Sequence, residues 1–178
     1  PTRRSSDLGI DAYVQYRTSD WSAYTTLAYV DATYQSNLSL TSANNPQADA
    51  NGNIAVARGE KIPGISPWQL KMGGDYKLTP ALTLGADMIA NSSQYYVGDD
   101  SNQNAKLAGY AVFNVHSDYQ LTQTIKLFAK LDNALDRKYA TYGTFAAVGD
   151  IPSLGLSNPQ TITPAAPRAM YAGFNVKF

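Results

Sequence analysis

Arg168-Ala-Met-Tyr-Ala-Gly-Phe-Asn-Val-Lys-Phe178 closes the chain, and its reading decides the fold. At period two, Met170, Ala172, Phe174, Val176 and Phe178 form an apolar face, and Tyr171, Gly173, Asn175 and Lys177 a more polar one. That alternation marks a strand covered by apolar material on one side. A soluble sheet has little use for a Phe at its frayed end. In a closed barrel inserted in lipid, a terminal ring sits in the aromatic girdle where strand meets interface.

The same period recurs toward the N-terminus. Ile125–Leu131 sets Ile125, Leu127, Ala129 and Leu131 against Lys126, Phe128, Lys130 and Asp132. Tyr110–Leu121 opposes Phe113, Val115 and Tyr119 to Asn114, His116, Asp118 and Gln120. Ala81–Tyr95, Trp68–Leu78, Trp21–Tyr34 and Gly9–Arg17 alternate likewise, and helical spacing fits none of the seven runs better. Three connections are tight turns, at 18–20, 79–80 and 122–124. The other three are long, at about 36–65, 96–108 and 136–166. Compact domains seldom carry several structureless loops of that length. Membrane barrels do so regularly, with short turns on one side and long loops on the other. The prediction is an all-β, antiparallel meander of seven strands with the three long connections at one edge.

Composition narrows the function classes. The 178 residues include 14 basic and 14 acidic side chains, 13 Tyr and no Cys. Balanced charge without a basic run gives no reason to expect a nucleic-acid partner. The absence of Cys removes disulfide scaffolds and Cys-ligated metal sites. No run of about 18 apolar residues occurs, which removes a membrane-spanning helix but not a barrel. Pro1-Thr-Arg-Arg-Ser-Ser-Asp-Leu8 reads as the translation of a common sequencing-adapter oligonucleotide. Residues 1–8 are therefore expected to be an assembly artefact, and residues 9–178 the fold, part of a longer exported protein.

Three segments carry a resemblance. Asp132-Asn-Ala-Leu-Asp-Arg-Lys-Tyr139 is similar to the N-L-F-D-x-x-Y segment of TonB-dependent outer-membrane receptors, departing at Ala134 and Leu135. Pro167-Arg168, Gly173 and terminal Phe178 resemble that family's closing pattern. Gly59-Glu-Lys-Ile-Pro-Gly-Ile-Ser-Pro67 resembles its loop-to-strand entry. The resemblance runs from Gly9 to Phe178. It implies a fragment of a transmembrane barrel of about 22 strands with a plugged lumen, the plug lying outside this chain. It further implies a bacterial outer-membrane location and energised uptake of a scarce solute such as a ferric siderophore. The implied partners are outer-membrane lipid, the barrel-assembly machinery, and the TonB complex acting through the plug. Tyr95, Tyr96, Tyr139, Tyr142 and Phe145 become the candidate solute contacts on extracellular loops. Tyr171, Phe174, Val176 and Phe178 become the barrel-assembly signal. Two alternatives are a small outer-membrane barrel with an adhesin or structural role and a soluble β-sandwich binding module. An upstream plug and further strands would exclude both.

Candidate chemistry is sparse. Neither catalytic residues nor a cofactor is expected, so the chain is read as no enzyme. The single His116 reads as a hydrated wall residue beside Asn114 and Asp118, and Asp99-Asp100 as a solvated loop tip. Asp49, Asn51, Asn53 and Glu60 have the spacing of calcium-loop positions 1, 3, 5 and 12. Ile54 stands where that loop needs Gly, so a polar surface loop is the better reading and no metal is expected.

Overall fold

The computed structural model describes residues 5–148, 155 and 157–178. Among these residues, eleven strands follow one another: β1 Ser5–Arg17, β2 Trp21–Tyr34, β3 Leu38–Thr41, β4 Asn53–Val56, β5 Trp68–Lys77, β6 Leu82–Asn91, β7 Tyr110–Gln120, β8 Ile125–Asp132, β9 Ala140–Phe145, β10 Gln160–Pro164 and β11 Ala169–Val176. Seven form one sheet in the order β1-β2-β5-β6-β7-β8-β11. Each adjacent pair is antiparallel. The remaining strands make two separate hairpins, β3–β4 and β9–β10, inside the first and third long loops. The meander therefore stands as predicted, but those loops are not structureless. Runs of four to six residues are too short for periodicity to identify.

Register explains why the two faces differ. Tyr16, Ala23, Gly74, Ala86, Val115, Leu131 and Met170 lie in one row across all seven strands. The next row reads Arg17, Ser22, Asp75, Gly85, His116, Lys130 and Tyr171. Successive residues of a strand point to opposite sides, so one side of the whole sheet is apolar and the other polar. A slip of one residue in any pairing would put charge among the apolar rows. Leu84, Phe113, Val115, Met170 and Phe174 remain open on the apolar side, Phe174 with 69% of its surface accessible. Strands β5, β6 and β7 have 10, 10 and 11 residues, matching the roughly 9–11 a tilted strand needs to cross a hydrocarbon core.

On the polar side, cross-strand pairs tie the wall together. Lys126 meets Asp118 at 3.0 Å, and the Asn114 amide donates to Asp87 Oδ2 at 2.6 Å. His116 Nε2 lies 2.9 Å from Asp75 Oδ1, reaching across β6. That reach needs Gly85 between them, since a Cβ there would fall 2.1 Å from His116 Nε2. Gly173 has a related role: a Cβ on it would stand 2.6 Å from the Phe128 ring, so its bareness seats that ring.

The three short turns share one device. Thr18 Oγ1 accepts from the amides of Asp20 and Trp21. Thr79 Oγ1 does the same for Ala81 and Leu82, and Thr122 Oγ1 for Thr124 and Ile125. A Thr hydroxyl that caps the amides two and three residues onward stands in for a backbone turn.

Boundaries differ from expectation by more than two residues at two places. The fourth run ends at Asn91 rather than Tyr95, because Gln94 turns aside to bridge Leu107. Strand β1 begins at Ser5 rather than Gly9, with Ser5–Leu8 in register with Asp31–Tyr34. Residues 1–4 of the adapter-like segment lie outside the described residues.

Candidate functional site

A single sheet with both faces open has no core of its own. Among the described residues, most buried apolar side chains lie instead at the long-loop end, where Tyr96, Leu107, Ala140 and Phe145 form a cluster. Tyr96 stacks on Phe145 with ring centroids 5.8 Å apart. Ile54 and Val56 of β4 are buried as well.

The polar anchor is Asp99, fully buried at 0% exposure. Its carboxylate accepts from the amides of Gln103 at 3.2 Å and Asn104 at 3.0 Å, and from Asn104 Nδ2 at 2.9 Å. Such charge-assisted bonds offset the cost of removing a carboxylate from water. The expectation of a solvated tip is therefore corrected for Asp99. Its fixed amide donors replace water, and hydropathy gives no sign of them. The signal available in the sequence is the Asp99-Asp-Ser-Asn-Gln-Asn104 run, since Asp and Asn bond local backbone.

From Asp99 the network spreads to both neighbouring loops. Asn104 Nδ2 also donates to Asn45 Oδ1, while Asn45 Nδ2 and Ser42 Oγ both donate to Gly98 O at 2.8 Å. Asn102 exchanges two bonds with the Lys61 backbone, at 2.6 and 2.9 Å. On the other side, Val97 N donates to Gly143 O, and Thr144 Oγ1 donates to Val97 O.

Beneath this platform, at the loop end of β5, β6 and β7, lies a cavity of about 260 Å³. Ser66, Gln69, Asn91, Gln94, Tyr110 and Thr141 are among its lining residues. Gln69, Asn91 and Tyr110 occupy one row of the polar face. Asn91 Nδ2 donates to the Tyr110 hydroxyl at 2.6 Å, and Ser66 Oγ donates to Gln94 Oε1 at 3.1 Å. Among the described residues, the Asn91 side-chain oxygen and the Tyr110 phenolic proton have no further hydrogen-bond partner. This arrangement is equipped to bind by hydrogen bonding.

The predicted contacts separate into two groups. Tyr96 and Phe145 face each other inside the loop core, each 8% exposed. Tyr139 packs against Tyr110 at the cavity, with centroids 4.5 Å apart. Burial, then the Tyr110 and Asp132 charges, hold the Tyr139 phenol above its ordinary value, so it stays a donor. Tyr95 lies under Lys106 Nζ, 4.5 Å from its ring centre, and Tyr142 is exposed. Of the residues expected to form an assembly signal, Phe174 and Val176 share the apolar face. Tyr171 pairs with Lys130 on the opposite one, and Phe178 lies past the strand end, fully exposed.

Two other candidate groupings are structural. Asp49 Oδ1 accepts from the amides of Asn51 and Asn53, making the turn of the β3–β4 hairpin. Ser22, Asp75 and His116 do converge, but the carboxylate stands in the middle, with Ser22 Oγ donating to Asp75 Oδ2 at 3.2 Å. Nucleophilic catalysis needs the imidazole against the hydroxyl.

Asp132–Tyr139 also has a physical rationale. Asn133 adopts a φ of 49° and is 3% exposed. Its side chain accepts from Arg137 N at 2.7 Å and donates to Arg137 O at 2.9 Å and Ala166 O at 3.3 Å. Asp136, at a φ of 51°, accepts from Arg168 N. The segment fastens the exit of β8 to the entry of β11.

The family model for the TonB dependent receptor-like β-barrel matches residues 8–134. The chain belongs to this family. None of the curated proteins matches its sequence. Solved structures similar to this TonB-dependent receptor segment include the siderophore receptor PiuA from Acinetobacter baumannii, at TM-score 0.77 and 18% identity, covering 98% of this chain and 22% of that one. The ferric yersiniabactin uptake receptor FyuA from Yersinia pestis gives 0.71 and 15%, covering 98% and 24%. The copper transporter OprC gives 0.65 and 19%, again covering 98% and 24%. The segment thus spans about a quarter of these chains. At such identities the likeness carries the fold.

Proposed function

We propose that residues 9–178 are the C-terminal wall of a TonB-dependent outer-membrane receptor that imports a scarce solute, a ferric siderophore first among them. The observation that carries this reading is the register of the sheet. It gives a continuous apolar face suited to lipid, a polar face suited to a lumen, and every long loop at one end. A soluble sandwich would cover its apolar face with a second sheet, and this face stands open.

In this reading the apolar side meets outer-membrane lipid, and the loop end is extracellular. The cavity under the loops is one wall of the solute site, with Tyr139, Tyr95 and Tyr142 at its approaches. Tyr96 and Phe145 serve that site by holding the loops together. Tyr171, Phe174, Val176 and Phe178 are the segment read by the barrel-assembly machinery. A plug and its TonB contact belong to the rest of the receptor. Pro1–Leu8 are read as foreign to it on their adapter-like sequence alone, since the family match already includes Leu8 and Ser5–Leu8 continue β1.

The test is uptake of radiolabelled iron by cells that carry the full-length receptor and lack their own siderophore receptors. A neutral ferric trihydroxamate and an anionic ferric tricatecholate are the probes. Uptake of either should require the receptor and cease when TonB is deleted. Uptake that persists without TonB, or none with either probe, would overturn the reading.

A further inference from the structure

We propose that the described parts of the three long loops, residues 36–67, 92–109, 133–148 and 157–168, form one preassembled wall of the solute cleft, keyed by Asp99, rather than separate lids that close over a solute. The inference rests on the receptor reading for its functional meaning, while its structural part stands on the loops alone. If the loops moved singly, each would carry its own contacts. Here the middle loop, residues 92–109, holds both neighbours.

On one side, Gly98 O takes two side-chain donors from the first loop, Ser42 and Asn45, both at 2.8 Å. Lys61, farther along that loop, is clamped by Asn102 through its own amide and carbonyl. On the other side, Val97 pairs with Thr144 in a parallel bridge, and Gln94 Nε2 donates to Thr141 O at 3.1 Å. Gln160 Nε2 reaches Ala105 O at 3.2 Å from the returning arm of the third loop. The apolar counterpart crosses the same seam, since Tyr96 and Leu107 of the middle loop pack with Ala140 and Phe145 of the third.

Opening any one loop would strand buried polar groups on its neighbour, each costly to leave unpaired. A carboxylate at 0% exposure with several donors cannot swing out without giving up all of them. The contacts therefore open together or not at all, the behaviour of one cooperative unit. Any closure over a solute then has to come from loops elsewhere in the receptor.

Hydrogen exchange on the full-length receptor, purified without added solute, tests this. Amides of Val97, Gln103, Asn104 and Lys61 should exchange at least about tenfold slower than in an unstructured loop, the equivalent of one net hydrogen bond. Asp99→Asn should release protection in all three loops at once and leave β5 and β6 unchanged. Unprotected amides in the wild type, or loss confined to residues 92–109 in the variant, would overturn the proposal. A second arm reads function. Neighbouring strands lie about 4.8 Å apart, inside the roughly 4.4–6.8 Å Cα range of a disulfide, so Val97→Cys with Thr144→Cys locks the seam. Uptake of the ferric probes should stay within about twofold on oxidation, and a loss reversed by reductant would refute a fixed wall. If the wild type imports neither probe, the receptor reading fails, and the exchange data still decide whether the loops are one unit.

Discussion

Replacing Asn133 tests whether the Asp132–Tyr139 segment is a clamp or only a spacer. In Asn133→Ala, the Arg137 amide and carbonyl lose their side-chain partner, and Ala166 O loses a donor. Two bonds at 2.7 and 2.9 Å, made by a residue 3% exposed, are each worth about 1 kcal/mol net, and more where the backbone partner stays unpaired. Alanine must also hold the φ of 49°, which adds about 1 kcal/mol. The expected total is about 3–4 kcal/mol of local stability, or roughly 100- to 1000-fold in the population of the open turn. Asn133→Gly loses the bonds and tolerates the backbone, so its effect should be about fivefold smaller. Arg137 and Lys138 make the turn a trypsin target in the open state. Cleavage there on intact cells reports the open population when opening is fast. Equal cleavage of the Gly and Ala variants would refute the backbone term. Wild-type cleavage rates in both would refute the clamp.

Further predictions concern the faces, the terminus and the loops. Val115→Arg, at the middle of β7 on the apolar face, should destabilise the inserted barrel by about 2–4 kcal/mol, read by urea unfolding in lipid, whereas Lys126→Ala on the other face should cost much less. Comparable costs would reject the assigned orientation. Deleting Phe178 from the full-length receptor should lower the assembled barrel at the surface without changing synthesis or the affinity of assembled molecules, as followed by heat-modifiable gel mobility. Normal assembly would sink that role. Burial, then the Asp99 charge, hold the Glu60 carboxyl above its ordinary 4.5. The folded loops therefore bind its proton more tightly than the unfolded loops do. Loop stability should fall as pH rises from about 4.5 through the raised value. Exchange corrected for intrinsic rates should show this trend, and Glu60→Gln should abolish it.

The sheet was legible because its code is local. Period-two patterning in Trp68–Lys77 and Ala169–Val176 determines face and strand together, and Thr-containing turns mark where the chain reverses. The long-loop end was not legible in that way. Asp99, Asn45 and Asn104 are polar residues in polar runs, and their burial depends on partners up to 59 residues away. Tyr96 and Phe145 drew attention as aromatic loop residues. Whether such a ring meets a solute or another ring is decided by the packing of three loops, which no single loop sequence contains. The β3–β4 hairpin escaped for another reason: Leu38, Leu40, Ile54 and Val56 alternate over strands of only four residues.

The threonine turns set the terms on which such a sheet can change its loops. Each short turn fixes the offset between its two strands through a hydroxyl and two amides, with no help from the opposite end of the sheet. Insertions and substitutions at the far end leave that offset alone, and long loops absorb added length at small entropic cost. A lineage is thus free to rewrite the loop-end surface while the two faces of the sheet are inherited intact. A single residue gained within Thr18–Trp21 would be a different event, because it would reverse the sidedness of everything upstream. Diversity in this architecture should accumulate at one rim and be purged at the other.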